Sequence, residues 1–181
     1  MRVAARILVL SMCLVFLFGS CLKKPDEETN EVVIGLLEVD LNASEDHVRT
    51  EESLIGNFIS DAVKSGMESY GLPVDIVLIN SGSIRFDEEA RPSAVYGKGN
   101  FTSEMLDEML PFSENKMVRV EVTGQELKEI VERSLALLPL DKGSFMQVSE
   151  DVSITADLSK QAQIIDETSS PATIITPGER L

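Results

Sequence analysis

The sequence predicts an α/β domain in which helices cover a mixed sheet, and two patterns carry that expectation. Short β-branched runs bounded by turn residues, at residues 32–37 and 76–79, alternate with longer stretches whose apolar residues recur at helical spacing. The alternation continues to the end of the chain without an internal repeat or a low-complexity block. Helices that bury one stripe against strands are the economical way to satisfy such a pattern.

The first strand is Val-Val-Ile-Gly-Leu-Leu at residues 32–37. Leu54, Ile55, Phe58, Ile59, Ala62, Val63 and Met67 then fall on one helical stripe, so the first long helix buries that face. Glu51 and Glu52 stand at its start, where carboxylates suit the positive helix end, and are read as dipole partners rather than catalytic acids. A buried strand follows at residues 76–79, and after a turn-rich stretch over residues 91–100 Thr102 opens a helix through Leu110, with Met105, Leu106 and Met109 as its core face. Val118, Val120 and Val122 alternate with Arg119 and Glu121, the pattern of a half-exposed strand. Thr123-x-x-Glu126 is a capping box for a helix carrying Leu127, Ile130, Val131, Ser134, Leu135 and Leu138. Val152, Ile154 and Ala156 suggest another strand, and residues 172–176 a last one, broken by Pro177-Gly178.

The N-terminus has a different character. Arg2 and Arg6 give a positive start, residues 7–18 are an apolar core too short to span a bilayer as a permanent helix, and Phe18-Gly19-Ser20-Cys21 supplies the small residues that precede cleavage. This is an export signal. Its ending resembles the lipobox of bacterial lipoproteins, which implies that Cys21 is the lipid-modified first residue of an exported, membrane-anchored protein. Residues 1–20 are thus expected to be a signal peptide, polar residues 21–31 a tether, and residues 32–181 one domain. With Cys13 removed and Cys21 acylated, no internal disulfide is expected.

Charge narrows the partners. The net charge is −15, and cleavage takes away Arg2 and Arg6, leaving −17. A surface this acidic repels nucleic-acid backbones, so binding to DNA or RNA is not expected, and any bound phosphate needs local cations.

One segment has the build of a binding loop. In Asp75-Ile-Val-Leu-Ile-Asn80-Ser-Gly82-Ser-Ile-Arg85, an apolar strand delivers small residues that let backbone approach a ligand, an amide that donates and accepts, and a planar cationic fork. On these residues alone, the favoured reading is an ordinary strand-to-loop turn with a surface arginine. Four further segments fall in a telling order around it. They are Arg49-x-x-Glu52-x-x-x-Gly56-Asn57 before the loop, then Leu110-Pro111-Phe112, then Thr123-Gly124-x-x-Leu127 followed by Phe145-x-Gln147-Val148-Ser149. Together they resemble the C-terminal, substrate-recognising domain of the 5′-nucleotidase family, from about residue 32 to residue 157.

That resemblance implies an α/β fold of the same kind and a nucleotide clamp. Arg49 and Arg85 would hold the phosphate side, Asn80 and the Gly82 backbone would contact the nucleoside, and Phe112 would stack on one face of the base. It also implies nucleotide catabolism with hydrolysis carried out by two divalent metals in a separate metallophosphoesterase domain. No catalytic residue and no metal ligand is identified in this chain: His47 is its one histidine and reads as an exposed loop residue, and neither a Walker loop nor a G-x-S-x-G elbow occurs. Serines at 81 and 83 replace glycines common in relatives. The glycine-rich loop that supplies the family's second stacking ring would lie past Leu181, so the domain is expected to be incomplete at that end. Three functions fit: a nucleotide-recognition domain whose partner is a separately encoded metallophosphoesterase, a non-catalytic lipoprotein that binds a nucleotide or nucleoside, or the remnant of a disrupted nucleotidase gene.

Overall fold

The computed structural model describes residues 32–181, and the signal, Cys21 and the tether expected over residues 1–31 lie outside the described residues. Four antiparallel ribbons of two strands each make up its β structure: β1 (Val33–Leu37) with β5 (Gly99–Thr102), β2 (Leu41–Asn42) with β4 (Val95–Tyr96), β3 (Leu78–Asn80) with β6 (Met146–Val148), and β7 (Ile164–Asp166) with β8 (Thr173–Thr176). The helices are α1 (Glu45–Val48), α2 (Leu54–Ser69), α3 (Ser103–Met109) and α4 (Gly124–Leu135), with a 3-10 turn at Ser81–Ser83. The α/β class is as expected, but the strands divide into ribbons rather than one wide sheet.

Local chemistry fixes the helix boundaries. Ser53 Oγ accepts the Gly56 amide at 3.1 Å to start α2, and Gly71, at φ 73°, provides the left-handed residue just past its end. Thr102 caps α3 by accepting the Met105 amide at 3.3 Å. At α4 the expected capping box is complete: Thr123 Oγ1 accepts the Glu126 amide, and the Glu126 carboxylate accepts the Thr123 amide at 2.7 Å.

The core lies between α2 and the β1–β5 and β2–β4 ribbons. Leu37, Leu41, Val48, Ile55, Ile59, Ile84, Tyr96, Phe101 and Met109 are buried together, and Phe58 meets Phe101 edge to face with ring centroids 5.4 Å apart. The chain's last residues are tied to α4 by a buried acid. The Glu132 carboxylate accepts the amides of Arg180 and Leu181 at 3.2 and 2.8 Å, and the Arg180 guanidinium donates to carbonyls at the end of α4, including Ala136 and Leu138. Gly178 is required there, since a Cβ would lie 2.9 Å from Glu132 Cβ and closer still to its carboxylate.

Several expectations need correction. Leu54, Ala62 and Leu106 are exposed, because the buried stripes of α2 and α3 are narrower than the apolar pattern. Glu51 and Glu52 precede Ser53 and sit outside the first turn of α2; Glu51 pairs with His47, and Glu52 accepts the Asn57 amide group at 3.0 Å. His47 is in α1 rather than a loop, with Nδ1 2.8 Å from Glu51 Oε1. Residues 118–122 and 152–156 are not strands, since neither segment has a partner edge among the described residues.

Candidate functional site

The five residues singled out from sequence do not share one environment. Asn80 ends β3 at the surface, with its Oδ1 accepting Ser83 Oγ at 2.9 Å. The Ser81 and Gly82 amides donate to the carbonyls of Phe145 and Gly143 at 2.8 and 3.0 Å, which prolongs the β3–β6 ladder into the turn. The Gly82 N–H is therefore already engaged inside the protein. Its lack of a side chain serves this close approach, since a Cβ would stand 3.0 Å from the Gly143 carbonyl oxygen.

Arg85 and Phe112 come together. The Arg85 guanidinium carbon lies 5.1 Å from the centroid of the Phe112 ring, a cation–π arrangement that occupies one face of a ring 44% exposed. The backbone of Arg85 is held from two sides: its amide donates to the Met109 carbonyl at 3.0 Å, and its carbonyl accepts Tyr96 Oη at 3.1 Å. Tyr96 is itself wholly buried beneath Arg91, whose guanidinium stands 4.5 Å from the tyrosine ring and whose Nε donates to the Glu108 carboxylate at 2.9 and 3.1 Å. Burial, reinforced by the negative charge of Glu108, pushes the phenol pKa well above its ordinary value. It stays protonated, as a donor to a carbonyl must.

A cavity of about 760 Å³ opens beside this ring. Ile59, Val63 and Met67 of α2 and Ile76 to Ile79 form apolar walls, while Asn80, Ser83, Asn115, Lys116 and Arg119 join Phe112 on the lining. An apolar floor with a few polar groups is the usual build of a small-molecule pocket, and the volume is in the usual range. Asn115, Lys116 and Arg119 carry no role in the sequence reading. Asn115 and Lys116 reach the cavity through an irregular segment with no periodic signal, and the alternation around Arg119 marks a strand face rather than a cavity wall.

Arg49 is elsewhere. It caps the end of α1, its guanidinium pairs with Glu45, and its Nε is buried without a hydrogen-bond partner among the described residues. Among those residues no hydrogen bond or ring contact joins it to Asn80, Arg85 or Phe112. The backbone on either side of it is tied to β6 by Gln147, 1% exposed, whose side chain accepts the Ser53 amide at 3.0 Å and donates to the carbonyls of Val48 and Glu51 at 2.7 and 2.8 Å. A Cβ on Gly56 would fall 2.6 Å from Gln147 Cβ. The Gly56 and Gln147 of two separate motifs are thus halves of one packing contact.

The two-metal chemistry implied by the resemblance does not fit these residues. Among the described residues no three His, Cys, Asp or Glu side chains are grouped so as to hold a metal ion, and no hydrolytic step is assigned to them.

Comparison with known proteins agrees with the family resemblance. Residues 33–179 match the family described as 5′-nucleotidase, C-terminal domain. The trifunctional nucleotide phosphoesterase protein YfkN of Bacillus subtilis (strain 168) is 31% identical over 124 residues, covering 68% of this chain and 8% of that protein. The crystal structure of a 5′-nucleotidase precursor from Thermus thermophilus superposes with a TM-score of 0.61 at 28% identity, covering 81% of this chain and 28% of that one. The chain spans well under two thirds of either relative. It belongs to the 5′-nucleotidase C-terminal domain family.

Proposed function

We propose that residues 32–181 are a nucleotide-recognition module of nucleotide catabolism, which presents its ligand to a metallophosphoesterase outside those residues. The observation that carries this reading is the exposed Phe112 ring with the Arg85 cation on one face and Asn80 lining the cavity beside it. A purine or pyrimidine stacks on the remaining face of the ring, and its hydrogen-bonding edge meets the Asn80 amide. The phosphate lies toward Arg85, where a guanidinium reads phosphate oxygens in pairs. Lys116 and Arg119, also on the cavity lining, offset the repulsion expected from the chain's net charge of −15. Arg49 takes part only if phosphate displaces Glu45 from its guanidinium. Family membership and the nucleotide phosphoesterase named among the relatives support the substrate class.

Calorimetric titration with adenosine 5′-monophosphate tests recognition: a saturable heat, weakened roughly tenfold or more in Arg85→Ala, is expected. Silence at millimolar ligand would remove the reading. The division of labour is tested by adding an exported metallophosphoesterase from the same source, which should release phosphate faster in the presence of this protein. The lipid anchor at Cys21 belongs to the same proposal; intact mass after expression in a bacterium should show an acylated Cys21, and Cys21→Ser should free the protein from membranes.

A further inference from the structure

The contact between Arg85 and Phe112 does not hold itself. A cation against an exposed ring gains less than an arginine loses when its rotamers are fixed, and among the described residues the Arg85 guanidinium donates only to its own neighbour, the Ile84 carbonyl. What keeps the two together must join the segment that begins at Arg85 to the helix that delivers Phe112.

That joint is made by one side chain. Glu108, in the last turn of α3, is 14% exposed, and its carboxylate accepts the Asp87 amide at 2.9 Å and, through both oxygens, the Arg91 Nε at 2.9 and 3.1 Å. Between those two anchors the chain is closed on itself: Asp87 Oδ1 accepts the amides of Glu89 and Ala90, and the Asp87 carbonyl accepts the Arg91 amide at 2.7 Å. Residues 87–91 are therefore tied to Glu108 as one piece. Arg91 in turn lies over Tyr96, whose phenol donates to the Arg85 carbonyl, while the Arg85 amide donates to the carbonyl of Met109, the residue after Glu108. Arg85 is enclosed by a circuit that starts and ends on α3, and every group in it lies between residues 85 and 109. A carboxylate in this turn does nothing for the helix itself, because the C-terminal end of a helix is its negative end and no basic residue of α3 stands there. Its charge is answered across the gap, by Arg91 and the Asp87 amide.

We propose that Glu108 is a positioning residue for the recognition site: through Asp87 and Arg91 it sets the place of the Arg85 guanidinium relative to the Phe112 ring, so that phosphate and base are met together. This rests on the nucleotide reading above and adds to it the residue on which discrimination between a nucleotide and its nucleoside depends. Without the brace the ring still stacks a base, but the cation is no longer held where the phosphate lies.

The test compares adenosine 5′-monophosphate with adenosine by calorimetric titration of the whole chain and of its Glu108→Ala, Glu108→Gln, Arg85→Ala and doubly substituted Glu108→Ala/Arg85→Ala forms, each verified as folded by circular dichroism. The wild-type protein should prefer the monophosphate. Glu108→Ala should lower that preference about fivefold or more while adenosine affinity stays within about twofold of the wild type, and Glu108→Gln, which keeps the length and one acceptor oxygen, should lower it measurably but less. In the double variant the loss should equal that of Arg85→Ala alone, because Glu108 acts through Arg85. A merely structural part for Glu108 would instead lower both affinities alike. An unchanged preference in folded Glu108→Ala would overturn the proposal, as would an unchanged preference in Glu108→Gln if the alanine variant does not fold, or losses that add in the double variant. A wild-type protein silent to both ligands, or indifferent to the phosphate, would remove the nucleotide reading itself and this proposal with it.

Discussion

The loop around Arg49 and the rim around Arg85 both carry family motifs, yet they differ in what their polar groups do. In the first, Gln147 gathers the Ser53 amide and the Val48 and Glu51 carbonyls into a buried knot against Gly56, so the motif residues there hold the chain in shape. In the second, the Arg85 guanidinium has a single hydrogen bond among the described residues, to the neighbouring Ile84 carbonyl, and rests against an exposed ring, so its donors remain open to a ligand. Recurrence of a residue in a motif does not separate these roles. Satisfaction and exposure do.

If the contrast is correct, substitutions should divide cleanly between stability and binding. The largest effect is expected from Gln147→Leu, which leaves one buried donor and two carbonyls without partners and should cost about 3 kcal/mol or more in urea unfolding. Glu132→Ala comes next: releasing the amides of Arg180 and Leu181 from the buried carboxylate should cost about 2–3 kcal/mol and increase proteolysis of the C-terminal residues. A loss below about 0.5 kcal/mol in either variant would place it outside the range expected of a buried hydrogen-bonded group. Arg85→Ala should reverse the pattern, leaving unfolding within about 1 kcal/mol of the wild type while nucleotide affinity falls by a factor of roughly ten or more.

Tyr96→Phe sharpens the comparison from between the two regions, because the phenol supports the Arg85 backbone from the core. Loss of its hydrogen bond should cost about 1 kcal/mol at neutral pH. The folded phenol has a pKa above its unfolded value of 10.0, so the folded state binds the proton more tightly. Its contribution is fully present below pH 10 and declines as the pH rises above it. Wild-type stability should therefore fall on the alkaline side, and the variant should lack that component of the fall.

Much of this division was hidden in the sequence, for physical reasons. Helices α2, α3 and α4 were legible because capping residues and apolar spacing are local signals, and Thr123 and Glu126 announce their box within four residues. Arg85 and Phe112 were singled out through the family resemblance, and no local pattern announces the contact between them. Gly56 and Gln147 are distant in the chain, and no local signal predicts that the absence of a Cβ on one makes room for the amide of the other. The segment at 118–122 shows the opposite failure: its pattern is that of a strand, but alternation does not specify a partner, and among the described residues none is present.

The most direct test of the central claim is an NMR titration of the isotope-labelled protein with adenosine 5′-monophosphate, following the Asn80 side-chain amide, the Phe112 ring and the Gln147 side-chain amide together. Recognition at the rim predicts saturable shifts at Asn80 and Phe112, lost in Arg85→Ala, with Gln147 nearly still. Shifts confined to other surfaces, or shifts at the rim that persist unchanged without the Arg85 guanidinium, would contradict it.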